Sequence, residues 1–129
     1  RPVPDSDGNY GRLQAIDLKT KEIAWQYRQE IVPASASLAT AGGLVFLGYL
    51  DNTFKAFDQQ SGAILWETTL GSIPAAFPIT YSVDGKQYVA VVAGQLDLHT
   101  GGWLALQSKF SGFEPASQDP AALWVFALD

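Results

Sequence analysis

The sequence predicts an all-β fold assembled from repeated units of about 40 residues. Three observations carry this reading. First, Ala15-Ile16-Asp17 followed by Trp25 is repeated as Ala56-Phe57-Asp58 followed by Trp66, every Ala, Asp and Trp recurring after 41 residues. Second, the apolar runs are short, rich in Val, Ile, Phe, Tyr and Trp, and separated by turn residues. Third, no window of a dozen residues shows a helical period free of Gly or Pro, so no helix is expected. A repeat of this length points to propeller blades of four strands each, or to another repeat array.

The elements follow in order. Residues 1–11, with two Pro, two Asp, Gly and Asn among them, read as an extended entry segment. Strands are expected at 12–17, 22–28, 43–48, 53–58, 63–70, 77–81, 87–93 and 122–128. In each copy the Asp opens a polar turn, Leu18-Lys19-Thr20-Lys21 or Gln59-Gln60-Ser61-Gly62, and a short strand then ends on the Trp. Asp84-Gly85 lies between two β-rich runs and signals a hairpin, because Gly supplies a positive φ; Asp51-Asn52 and Ser61-Gly62 resemble it. The final Val125-Phe126-Ala127-Leu128-Asp129 replays the first half of the unit. Residues 12–93 thus form two blade repeats, and 122–129 a closing strand. Between them, 94–121 contains Gly94, Gly101, Gly102, Gly112, Pro115 and Pro120 and reads as a Gly/Pro-rich insertion running over the surface.

Composition narrows the function. The 129 residues are 47% hydrophobic and 16% charged, the profile of a chain that folds. Eight basic against thirteen acidic residues give a net charge of −5, which argues against a nucleic-acid surface. No apolar run is long enough to span a bilayer as a helix. The absence of cysteine removes disulfides, zinc–thiolate sites and thiol catalysis. Residue 1 is Arg and no leader follows it, as expected of a processed or excised piece.

The repeated residues read first as glue between units. An Asp at a strand end fixes the following corner by accepting turn amides, and the Trp buries a large ring whose N–H needs a carbonyl partner. His99 reads as a loop histidine, since only Asp97 and Glu114 stand near it in sequence as acidic co-ligands. Asp51-Asn52 and Asp84-Gly85 lack the alternating acidic spacing of calcium loops. Trp103 and Trp124 read as buried apolar area.

Together these residues carry a resemblance. Ala-x-Asp, a turn, Gly and Trp resemble the tryptophan-docking motif of quinoprotein dehydrogenases, eight-bladed β-propellers that use pyrroloquinoline quinone (PQQ). Ala56 through Trp66 matches fully; the first copy has Lys21 in place of the Gly. Leu38–Phe46, Pro78–Ala90 and Leu123–Leu128 are similar to the family's late and closing strands. The resemblance implies a C-terminal part of a periplasmic enzyme oxidising an alcohol or sugar, with PQQ held beside a calcium or lanthanide ion. It places the catalytic and metal-binding residues upstream, so no catalytic or metal residue is assigned here, and the segment alone is expected to be inactive and to bind no cofactor. Two places would approach the cofactor. One is Ser35, in Pro33-Ala34-Ser35-Ala36, where many relatives have Trp-Asn-Gly-Gly. The other is Gly94 and Gln95, where Gln95-Leu96-Asp97 replaces a Gly-rich stretch with Trp. The departures fit a glucose-type or divergent alcohol-type relative better than a methanol dehydrogenase. The alternative is a non-catalytic propeller of the same repeat acting as a protein-binding scaffold. Either way the partners expected are the remainder of its own propeller or copies of itself, because Trp25 and the strand at 122–128 would each face a missing neighbour, across faces expected to be apolar.

Overall fold

The computed structural model describes residues 5–94 and 98–128; of Leu98 and His99 only the backbone is described. Among the described residues nine strands make three antiparallel sheets, accompanied by one helix. The first pairs β1 (Gly11–Ile16) with β2 (Ile23–Gln29). The second is a complete four-stranded unit in the order β3 (Leu38–Ala39), β4 (Leu44–Gly48), β5 (Thr53–Asp58) and β6 (Ile64–Thr69). The third joins β7 (Ile79–Val83), β8 (Lys86–Ala93) and β9 (Ala122–Leu128). Nine strands is the number in two four-stranded blades plus one, but they are divided two, four and three.

The two Ala-x-Asp-to-Trp hairpins have the same construction. Ala15 pairs with Trp25 and Ala56 with Trp66, and each ladder has an irregularity immediately after the Ala. In the first turn the Asp17 carboxylate accepts from the Lys19 and Thr20 amides. In the second the Asp58 carboxylate accepts from the Ser61 amide and hydroxyl. Both turns close through a left-handed residue, Lys21 at φ 62° and Gly62 at φ 73°. The polar turn therefore tolerates Lys at a position whose φ favours Gly.

The middle sheet is covered on both faces, as period-2 alternation requires. Phe46, Phe54 and Ala56 pack with Val89, Val91 and Ala93 of the third sheet. Leu47, Tyr49 and Phe57 pack toward Leu13, Tyr27 and Ile31 from the first. The outer faces differ from each other. The third sheet exposes Ile79, Val83, Leu123 and Val125, as expected. The first sheet instead turns Arg12, Gln14, Gln26 and Arg28 outward, with the paired Ile16 and Ile23 exposed at one end, so its exposed surface is mixed. Nor does Trp25 lack a neighbour: its indole docks on the turn of the second unit, against Gln59 and Gly62.

The insertion also differs from expectation. Within 94–121 lies α1 (Leu98–Ser111), a 14-residue helix that includes Gly101 and Gly102. It forms because side chains tie it to the body: Gln107, only 4% exposed, bonds to backbone groups of residues 30 and 32. The return segment is also fastened. Gln118 bonds to the Asn52 side chain and the Ile73 amide, and the Ser72 hydroxyl donates to the Asp119 carbonyl. Gly71 and Asp119 lie so close that a Cβ on Gly71 would fall 2.3 Å from the carboxylate. None of the described helices is long and apolar enough to cross a membrane.

Candidate functional site

The chain leaves β2 and runs as Pro33-Ala34-Ser35-Ala36 beside the end of β4. A bridge pairs Pro33 with Tyr49, and the Ala34 amide donates to the Gly48 carbonyl at 2.8 Å. Gly48 must be Gly here, because a Cβ would meet Pro74 at 2.6 Å on its other side. The Ser35 hydroxyl accepts from the Gly48 amide at 2.8 Å and donates to the Ala36 carbonyl at 2.9 Å. It keeps one lone pair uncommitted.

Residues 33–36 form the floor of a cleft of about 360 Å³. Thr100 and Trp103 from α1 form one wall; Leu50, Ala75 and Phe77 form the other. Trp103 also lines a second, more polar cleft of about 410 Å³ with Asp5, Tyr10, Arg12 and Arg28. Pro33 and Trp103 line both spaces.

Of the residues singled out in the sequence, Ser35 lies in this cleft. Gly94 does not line it: its amide donates to the Ile73 carbonyl, and at φ 119° its bare Cα packs on Ala121, where a Cβ would be 2.5 Å from the neighbouring Cα. Gln95 lies outside the described residues. Trp103 and Thr100 are the wall that sequence reasoning missed as site residues. The signal was Gly101-Gly102-Trp103, a Gly-rich stretch with Trp standing a few positions beyond 95–97.

A buried polar cluster lies apart, between the first two sheets. Lys55, 7% exposed, donates to Gln29 Oε1 at 2.7 Å and to the Tyr27 hydroxyl at 3.2 Å, and lies over the Tyr27 and Tyr49 rings. The Tyr49 hydroxyl is buried without a hydrogen-bond partner. Burial, reinforced by Tyr27 and Asp51, holds its phenol well above the usual tyrosine range. At the surface, hydrogen bonds from Ser61 hold the Asp58 carboxyl below its ordinary value.

The cleft offers an aromatic wall, backbone edges and one hydroxyl. Among the described residues no group of three or more His, Cys, Asp or Glu side chains could hold a metal ion. These residues do not fit a metal centre, and no chemical step is assigned to one here.

The family described as "Glucose/ethanol/alcohol dehydrogenase, beta-propeller domain", of the PQQ type, matches residues 2–89. The quinoprotein ethanol dehydrogenase of Pseudomonas aeruginosa is 41% identical over 88 residues, covering 68% of this chain and 14% of that protein. The 1-butanol dehydrogenase (cytochrome c) of Thauera butanivorans is 34% identical over 128 residues, 98% of this chain and 17% of that protein, so this similarity runs through the helical insertion. A solved europium-containing methanol dehydrogenase superposes with a TM-score of 0.74 at 32% identity, over 95% of this chain and 24% of that one. The chain thus spans about one-sixth of the length of these curated relatives.

Proposed function

The chain belongs to the β-propeller family of PQQ-dependent glucose, ethanol and alcohol dehydrogenases, and from that membership we propose that it is a blade-forming segment of an enzyme oxidising an alcohol. A sugar is the second substrate class. The observation that carries the structural role is the docking of one repeat on the next, Trp25 against Gln59 and Gly62. The residues that make this contact, Ala, Asp and Trp, recur with the repeat, whereas a reaction centre is built once. In the parent enzyme PQQ, with calcium or a lanthanide, supplies the oxidising power. The acidic residues that hold the ion and act as base belong to other parts of that enzyme. This segment contributes its sheets and, through Ser35 and Trp103, one side of a cleft. Gly94 and Gln95 are proposed as cofactor-facing residues, Gly94 by shaping the backbone. The periplasm is the proposed compartment.

The test is dye-linked oxidation of primary alcohols and of glucose by the parent protein, reconstituted with PQQ and either calcium or a lanthanide. Activity is expected from the parent and none from the isolated 129 residues. A parent that folds and binds partner proteins but oxidises neither substrate class would favour the scaffold reading. Turnover by the isolated segment would overturn the assignment of a structural role.

A further inference from the structure

We propose that Gln107 is the positioning residue of the cleft, fixing the Trp103 wall against the Pro33–Ser35 floor and thereby setting which alcohols the cleft admits; this rests on the functional reading above. Gln107 is a neutral amide with 4% of its surface exposed, and every hydrogen bond of its amide group is made to a specific atom. Its Oε1 accepts from the Val32 amide at 3.2 Å. Its Nε2 donates to the Glu30 carbonyl at 3.2 Å and to the Ser111 hydroxyl at 2.9 Å. The amide thus grips residues 30 and 32 with one acceptor and one donor, immediately before the chain enters the floor at Pro33.

Gln107 is one of several ties on that segment, for Gln29 Nε2 also donates to the Ile31 carbonyl at 3.0 Å and the Tyr10 amide to the Glu30 carbonyl at 3.4 Å. β2 ends at Gln29, and the Val32 carbonyl is reached by the Leu50 amide only at 3.3 Å. Gln107 thus joins α1 to the segment that leads into the floor. Trp103 lies four residues before Gln107, one turn away on the same helical face. Thr100, 4% exposed and also in the cleft wall, lies one turn earlier again. A shift at Gln107 thus moves the Trp103 wall relative to a floor that Ala34 and Ser35 keep tied to Gly48.

The amide is also chemically particular. Leu has similar bulk and offers neither contact. An ionised Glu retains the acceptor for Val32 but faces the Glu30 carbonyl with no donor. A protonated Glu again offers one acceptor and one donor, so acidification is expected to rescue Gln107→Glu and not Gln107→Leu.

The experiment uses the parent dehydrogenase with three variants, Gln107→Leu, Gln107→Glu and Gln107→Asn. Amide exchange at Val32 is expected to quicken about tenfold in the Leu variant, the loss of roughly one good buried hydrogen bond, while Val89 in the core of the third sheet is unchanged. Across a series of straight-chain primary alcohols, KM is expected to change more than kcat, and unequally with chain length. Gln107→Glu should behave as the Leu variant at neutral pH and return toward wild type as pH falls. Unchanged Val32 exchange in the Leu variant would overturn the clamp. Faster exchange with an unaltered KM pattern would overturn the specificity role, as would a uniform loss of active protein without pH rescue. A parent that oxidises no alcohol overturns the functional reading and the specificity role with it, whereas Val32 exchange judges the clamp on its own.

Discussion

The indole nitrogen of Trp25 donates a 2.7 Å hydrogen bond to the carbonyl of Gln59, joining the first sheet to the turn of the second. The same ring lies against the bare Cα of Gly62, where a Cβ would come within 2.5 Å of the ring carbons. The Trp of one unit thus reads the Gly of the next.

The first prediction follows from this coupling. Gly62→Ala combines that overlap with a φ of 73° and should destabilise the protein by about 1–3 kcal/mol. Trp25→Phe, which keeps most of the ring but loses the hydrogen bond, should cost about 1 kcal/mol. In the double variant the smaller ring relieves the clash, so the costs should fall short of their sum. Urea melts of the four proteins test this; strict additivity would show that the residues do not communicate.

The sheets and the repeat were legible because their signals are local. Asp17 and Asp58 sit at strand ends before polar turns, and the near-continuous apolar runs of β4 and β5 follow from a sheet covered on both faces. The helix was not legible for two reasons. Gly101 and Gly102 each cost a helix about 1 kcal/mol, and its polarity is inverted. Gln107 and Thr100 point into the protein while Trp103, Leu106 and Phe110 remain 42–46% exposed. A pattern search for an apolar inward stripe finds nothing there. Ser35 was singled out through the family resemblance alone; the cleft it lines takes its wall from Thr100 and Trp103, in an element far along the chain, which no local pattern announces.

A second prediction concerns Lys55. Its ammonium is held by Gln29 and Tyr27 and over two aromatic rings. Gln29→Leu removes the short charge-assisted bond and leaves the cation buried, which should cost about 1.5–3 kcal/mol. Lys55→Met keeps the stem and removes the charge, so the loss should be smaller. Adding Lys55→Met to Gln29→Leu should then recover stability. Denaturation midpoints that fall further in the double variant would show that the cation is not what Gln29 satisfies.

Tyr49 gives a third. Its hydroxyl is buried without a hydrogen-bond partner, and the ring itself is 1% exposed. Tyr49→Phe removes a desolvated polar atom and keeps the packing, so stability should be unchanged or rise by up to about 1 kcal/mol. A loss of more than about 1 kcal/mol would mean that the hydroxyl has a bound partner.

Asp58 supplies a pH dependence. The hydrogen bonds from Ser61 lower its folded pKa, so the unfolded chain takes up the proton first as acid is added. Its contribution is present in full above the ordinary Asp range and is lost as pH falls through the lower folded value. Asp58→Asn should therefore flatten the acid limb of the stability curve without altering it near neutrality in shape. An acid limb identical to wild type, measured from pH 6 downward, would place the dependence on other carboxylates.

The last prediction concerns what the isolated chain does in water. The third sheet turns Ile79 (58% exposed) and Val83 (51%) of β7, Val92 (42%) of β8, and Leu123 (65%) and Val125 (45%) of β9 outward on one apolar face. Beside it Trp66 lines an open cleft of about 490 Å³ with Phe126, packed ring to ring at 5.0 Å but 37% exposed. Trp25, which has the turn of the next unit beneath it, shows how such a cleft is closed in this fold. Apolar faces of this kind are rarely left bare on soluble monomers, and free strand edges offer a second route to pairing. The first sheet, with Arg12 and Arg28 directly opposed and Ile16 and Ile23 exposed at one end, is a mixed surface that matches an apolar face less well. Self-association should therefore run through the third sheet against its own copy, face to face, and not head to tail. Light scattering on the isolated 129 residues should report a mass above the 13.9 kDa of a monomer. Leu123→Lys should shift the population toward monomer, because a charge in that face opposes its copy across a two-fold contact, whereas Gln26→Lys on the first sheet should leave it unchanged. A cooperatively melting monomer for the unaltered chain would show that this face is tolerated in water.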